Sequence, residues 1–231
     1  MNASDLSALL PGGGRVLFTD RVDGNMSSVG GEASEQGAAA RERLRTRTDA
    51  GSLARVYQVH GTTVHVVSDG STQDLSQDEL PRADAQITTT SALGLMVLAA
   101  DCLPVALARE GAVAMIHAGW RGLAAGVLEN ALQVMGALDD GANPSKIVAV
   151  IGPGAGACCY EVGREVHEAF GDPDRGTSHI DLRSIARKRL LAAGVDRVED
   201  LGGCTICDER YFSHRREGQR SGRMAGVAWL S

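Results

Sequence analysis

Three side chains of the kind that grip transition metals stand at breaks in apolar runs. They are His60 in Gln58-Val59-His60-Gly61, Cys102 in Ala100-Asp101-Cys102-Leu103-Pro104, and His117 in Ile116-His117-Ala118-Gly119-Trp120. A side chain at a strand end can face a shared cleft. Two imidazoles and a thiolate suit zinc, and three protein ligands leave a fourth position for water or substrate, as catalysis requires. On residue type and spacing alone, a packed thiol and hydrogen-bonded histidines are the commoner use of such residues. Asp101, beside Cys102, reads either as a proton donor or histidine-orienting partner, or as a carboxylate fixing a local turn.

The elements that must position these residues follow from periodicity. Leu53–His60 and Thr63–Val67 are β-branched runs around Gly61-Thr62, which predicts two strands about a turn with His60 at a strand end. Leu95–Ala100, Val105–Ala108, Ala112–Ile116 and Ile147–Ile151 read as buried strands, and Arg223–Leu230 as a closing one. Leu123, Val127, Ala131, Val134 and Leu138 share a helical face that opens just after Gly119-Trp120-Arg121-Gly122. Asn143-Pro144-Ser145 is a turn, Gly152–Gly156 a glycine-rich loop, and Val162–Phe170 a helix. Asp181 can cap a further helix that Gly194 ends. Residues 24–52, poor in apolar side chains apart from a helix over Ala38–Arg47, read as mobile or loosely packed. With no repeat or linker, one α/β (α+β) domain with mixed sheets is expected over residues 1–231.

Composition removes several function classes. Lys plus Arg is 23 against 29 Asp plus Glu, a formal charge of −6, the wrong sign for tracking a phosphate backbone. Two Trp, three Tyr and three Phe are too few for base-stacking platforms. The longest apolar run, Ala92–Ala100, falls far short of the ~20 residues of a membrane helix, and Met1–Gly14 lacks the basic segment of a signal peptide. Neither nucleic acid nor membrane is an expected partner, and a cytoplasmic location follows. Five cysteines predict reduced thiols rather than a disulfide framework.

Several long motifs occur in a fixed order: Gln58-Val59-His60-Gly61, Ala83-Asp84-Ala85, Ala99-Ala100-Asp101-Cys102-Leu103-Pro104-Val105, His117-Ala118-Gly119-Trp120-Arg121-Gly122, Cys158-Cys159-Tyr160-Glu161-Val162 and Phe212-Ser213-His214-Arg215-Arg216. Over about Leu53–Leu230 the chain resembles the multicopper polyphenol oxidoreductase or laccase-like family. Its members are also described as zinc-dependent purine nucleoside phosphorylases and peptidoglycan editing factors. The resemblance implies one metal on His60, Cys102 and His117, and an α/β/β/α layered fold. It also implies a substrate-proximal arginine at Arg21 in Phe18-Thr19-Asp20-Arg21. Val22–Gly31 contracts elements usual in the family, and Ala155 stands where relatives often place Ile.

The implied reaction is phosphorolysis of adenosine, inosine and methylthioadenosine, with adenosine deamination as a side activity. Glycosidic cleavage needs an anionic nucleophile below C1′ and neutralisation of the departing purine. Deamination needs an activated water at C6 of adenine. Arg21 and, less strongly, Arg121 are candidates for phosphate because a guanidinium matches oxyanion geometry; in a helix's first turn Arg121 reads first as a surface charge. Three other readings stand beside phosphorolysis. They are a hydrolase removing serine from a nucleotide-linked muramyl precursor, a copper-loaded polyphenol oxidase, and a non-catalytic metal-binding module. Six histidines with no His-x-His pair cannot build a four-copper cluster, so copper would be adventitious in a zinc-type site.

Remaining motifs receive smaller roles. Cys204-x2-Cys207 with His214 lacks a fourth ligand and reads as packed thiols. Cys158 and Cys159, adjacent on regular backbone, diverge and read as core packing. Gly152-x-Gly154-x-Gly156 lacks nucleotide-fingerprint spacing. His65 falls on a strand face, and His167 and His179 have no evident partners.

Overall fold

The computed structural model describes residues 6–27, 31–72, 75–138, 146–173 and 177–231. Two mixed sheets carry the fold. The five-stranded sheet runs β1 (Leu6–Leu9), β2 (Gly14–Phe18), β13 (Met224–Leu230), β6 (Leu93–Ala99) and β3 (Ser52–Ala54), with only its β6/β3 pair parallel. The six-stranded sheet runs β12 (Arg197–Asp200), β9 (Val148–Ile151), β7 (Leu103–Arg109), β8 (Ala112–Ala118), β5 (Ala85–Thr88) and β4 (Val64–Val66), parallel at its two outer pairs and antiparallel between. A small antiparallel ladder joins β10 (Glu161–Val162) to β11 (Ser178–His179).

Side-chain alternation explains the layering. Along β7, Leu103, Val105 and Leu107 join a cluster with Leu123, Leu128 and Leu190 of the helices, while Ala106 and Ala108 join Val16, Leu95 and Ala228 between the sheets. Along β13, Ala228 faces the other sheet, whereas Val227 and Trp229 meet Ala40 and Leu44 of α1 (Gly31–Thr48). Strands buried on both faces lose polar alternation and read as continuous apolar runs. The expected α/β/β/α layering of mixed sheets is therefore present. On the far side lie α2 (Trp120–Ala125), α3 (Val127–Ala137), α4 (Arg164–Ala169) and α5 (Leu182–Ala192), with the short α6 (His214–Glu217) after them in the chain. No described helix is long and apolar enough to cross a membrane.

Asp181 caps α5 as expected, its Oδ1 accepting the Ser184 N–H at 2.9 Å, and Gly194 adopts a left-handed φ of 93° just beyond. Three expectations are corrected. Leu53–Val67 is not a hairpin: β3 and β4 belong to different sheets, and the chain between them crosses from one layer to the other. The Gln58 side chain takes the place of a strand there, donating to Leu98 O at 2.8 Å and accepting from Leu98 N at 2.7 Å. The helix after Trp120 is split at Gly126, whose φ of 98° and ψ of 32° no helical residue adopts. Within residues 24–52, residues 28–30 lie outside the described residues, but α1 is longer than Ala38–Arg47 and buries Ala40 and Leu44 against the sheet. The Asn143-Pro144-Ser145 turn also lies outside the described residues.

Candidate metal centre

The centre is organised by a carboxylate. Asp84 immediately precedes β5, where Ala85 pairs with Ile116, so it lies beside His117 on the neighbouring strand. Its fully buried side chain takes the Val59, His60 and Gly61 N–H groups at 3.1, 2.9 and 2.7 Å, and faces His117 Nδ1 at 2.8 Å. Three converging amides form an anion-binding nest and hold His60 at a left-handed φ of 58°. Burial pushes the Asp84 pKa up, but hydrogen bonds from His117 and the turn outweigh it, leaving the pKa lowered. An ionised carboxylate only accepts, so His117 Nδ1 carries a proton and Nε2 is the nitrogen left to face a ligand.

Cys102 comes from the step between layers: β6 ends at Ala99 in one sheet and β7 begins at Leu103 in the other. Asp101, at φ 93°, turns the chain there. Its two oxygens accept from Thr205 Oγ1 and from Arg215 N, each at 2.7 Å, and its carbonyl accepts from Ala155 N at 2.8 Å. Neither oxygen hydrogen-bonds a histidine among the described residues. The partner that orients a histidine is Asp84, and the place of Asp101 is that of the turn-fixing carboxylate.

One donor atom from each of His60, Cys102 and His117 lies within 4.8 Å of the others. Cys102 Sγ is 3.8 Å from His60 Nε2, and the two rings meet edge to face with centroids 4.9 Å apart. Burial pushes the Cys102 thiol up, yet the two histidines more than reverse it, to about 6. His117, pushed down by burial, is raised by the facing sulfur and Asp84 to about 9. Soft sulfur beside two imidazoles is a donor set for Zn²⁺ or Cu²⁺. Gly119 makes the approach possible: a Cβ there would stand 2.8 Å from His60 Cδ2 and 3.0 Å from Cys102 Sγ.

The three donors line a cleft of about 670 Å³. Val56, Tyr57, Leu80 and Leu98 supply apolar and aromatic walls, while His214, Arg220 and Arg223 supply polar ones. Arg223 Nη1 is fixed by Ser221 O and Gly222 O at 2.8 and 2.9 Å. The Arg220 side chain has no hydrogen-bond or ion-pair partner among the described residues.

Arg21 does not line this cleft. Its guanidinium donates to Glu209 O at 3.1 Å and Tyr211 O at 3.0 Å, pairs with Glu217, and stacks 4.3 Å from the Phe212 ring centroid. Arg121 is exposed and lies 4.2 Å over the Trp120 ring, the surface position read from its sequence.

The model of the family described as multi-copper polyphenol oxidoreductase laccase matches residues 19–231. The chain belongs to this family. It is 39% identical to a purine nucleoside phosphorylase of Xylella fastidiosa, covering 97% of this chain and 91% of that protein. It is 35% identical to the purine nucleoside phosphorylase ORF3 of Streptomyces griseus, with 97% of each covered. The crystal structure of Neisseria meningitidis protein NMB0706 superposes with a TM-score of 0.81 at 31% identity, covering 98% of this chain and 99% of that one.

Against this family frame, sequence reasoning missed Asp84 as organiser, and Arg220 and Arg223 as cations of the cleft. A carboxylate opening an apolar strand, in the quoted Ala83-Asp84-Ala85, was the available signal. His167, given no partner, is buried and meets Ser178 Oγ at 3.1 Å. Cys158 and Cys159 are not core residues: Cys158 is exposed, and both lie beside Cys204 and Cys207. Ala157–Cys159 is a turn, where neighbouring side chains need not diverge as they do on regular backbone.

Proposed function

We propose that this chain is a cytoplasmic, zinc-dependent purine nucleoside phosphorylase. It would cleave adenosine, inosine and methylthioadenosine with phosphate and deaminate adenosine as a side reaction. One observation carries the reading: a His60, Cys102 and His117 donor set opens into a cleft with apolar walls and unengaged positive charge. The relatives named as purine nucleoside phosphorylases support it.

Val56, Tyr57, Leu80 and Leu98 offer the flat apolar surface a purine needs, and the arginines offer the fork that phosphate needs. Arg220 and Arg223 take the oxyanion role first assigned to Arg21. Arg21 becomes a positioning residue that pins the 209–217 segment ahead of them. His214, with its ring free of hydrogen bonds among the described residues, is placed to deliver a proton to the departing base. Asp101 positions Cys102 by fixing the turn. His60, Cys102 and His117 would hold a divalent ion, which would supply Lewis-acid chemistry in the cleft. Copper in the same donor set would follow its greater affinity for nitrogen and sulfur.

Incubation with inosine tests the reading: hypoxanthine should appear only when phosphate is present. Phosphate-independent cleavage, or release of serine from a muramyl precursor with inosine untouched, would overturn it.

A further inference from the structure

A second group of donors stands apart from the cleft. The sulfurs of Cys158, Cys159, Cys204 and Cys207 all lie within 4.8 Å of one another, with Cys158 and Cys207 at 3.6 Å. Cys158 and Cys207 are exposed and the other two only half-buried, so burial of apolar thiols does not explain the convergence. The edge of a tetrahedron with metal–sulfur bonds of ~2.3 Å is about 3.8 Å, close to the spacing here and too short for a multi-iron cluster to sit inside.

The backbone is arranged for such a set. Ala157–Cys159 is a turn closed by Cys159 N and Tyr160 N on Gly156 O at 3.0 and 2.9 Å, which lets neighbouring cysteines face one point. Thr205–Cys207 is a second turn. The Gly156 N–H meets Cys204 Sγ at 3.2 Å. That amide aims the sulfur at the shared point of the cluster.

We propose that Cys158, Cys159, Cys204 and Cys207 form a closed tetrathiolate site for one structural Zn²⁺. Four protein ligands leave no open position, in contrast to the three-donor centre. The ion would tie the glycine-rich loop after β9 to the 204–207 turn. That turn already braces the back of the cleft: Thr205 Oγ1 holds Asp101 Oδ1 at 2.7 Å, and Arg216 Nη1 holds Thr205 O and Ile206 O, each at 2.8 Å. The inference rests on geometry alone and is independent of the reaction proposed above.

The test is Zn²⁺ titration of the full-length, reduced and demetallated protein. Two equivalents should bind, falling to one in Cys102→Ala and to one in Cys204→Ser. In the wild-type chain, Zn²⁺ should also protect all four thiols from alkylation, mapped by mass spectrometry, a readout that stands even where Cys204→Ser fails to fold. A single wild-type equivalent that vanishes in Cys102→Ala would overturn the proposal. So would alkylation of Cys158 and Cys207 that is indifferent to zinc.

Discussion

Asp84 Oδ1 stands 2.8 Å from His117 Nδ1, and the same carboxylate holds the His60 amide at 2.9 Å. One side chain thus fixes a ring from β8 and the backbone beneath a ring from a loop in another part of the chain. Asp84→Asn keeps the volume but offers one acceptor oxygen for four donors. Zinc affinity of the His60–Cys102–His117 centre should fall about 10–100-fold, the usual cost of losing a partner behind a ligand. Competition with a chelating dye measures it; unchanged affinity would remove Asp84 from the centre.

Gly119→Ala places a methyl 2.8 Å from His60 Cδ2, closer than real Cβ atoms come, and 3.0 Å from Cys102 Sγ, a tight contact. The His60 ring and the Cys102 sulfur must move apart. Metal stoichiometry at this centre should drop while thermal unfolding records an overpacking loss of about 1–3 kcal/mol.

Arg220→Ala and Arg223→Ala test the phosphate reading separately from the metal. A hydrogen bond to a charged group contributes about 1.5–3 kcal/mol, so KM for phosphate should rise roughly 10–100-fold. KM for the nucleoside and the zinc content should hold. Steady-state kinetics with phosphate varied gives the answer, and an unchanged phosphate KM in both variants would move the anion site elsewhere.

Glu217 joins Arg21 and Arg216. Burial pushes its pKa up, but hydrogen bonds from the two guanidiniums reverse this and leave it lowered. A folded-state pKa below the unfolded one means that the clamp stabilises the fold above the ordinary carboxylate range, about 4.3, and loses that contribution as pH falls through the lowered value. Thermal unfolding from about pH 6 to about pH 3 should therefore fall less steeply in Glu217→Gln than in the parent. Parallel profiles would show the clamp to be energetically silent.

Much of the architecture was legible because β6, β7, β8 and β13 are buried on both faces, which turns strands into unbroken apolar words in the sequence. The cap at Asp181 and the stop at Gly194 were legible for local reasons. Sheet membership was not: Leu53–Val67 has strand propensity throughout, and nothing local says that its two ends join different layers. The three candidate metal donors were visible by residue type and by resemblance. Asp84 was not, because its value lies in amides 23–25 residues upstream. Arg21 and Arg220 carry the same group, and only the tertiary path decides which one faces the cleft. Cys158 and Cys159 misled because divergence holds for regular backbone and not for a turn.

Cys102 and His60 both sit where the chain leaves one sheet for the other, while His117 belongs to a strand of the second sheet. An ion bridging them would work as a rivet through the sandwich. Any slip of the two sheets would then register as stretched coordination, and loading or stripping the ion should tighten or free that shear.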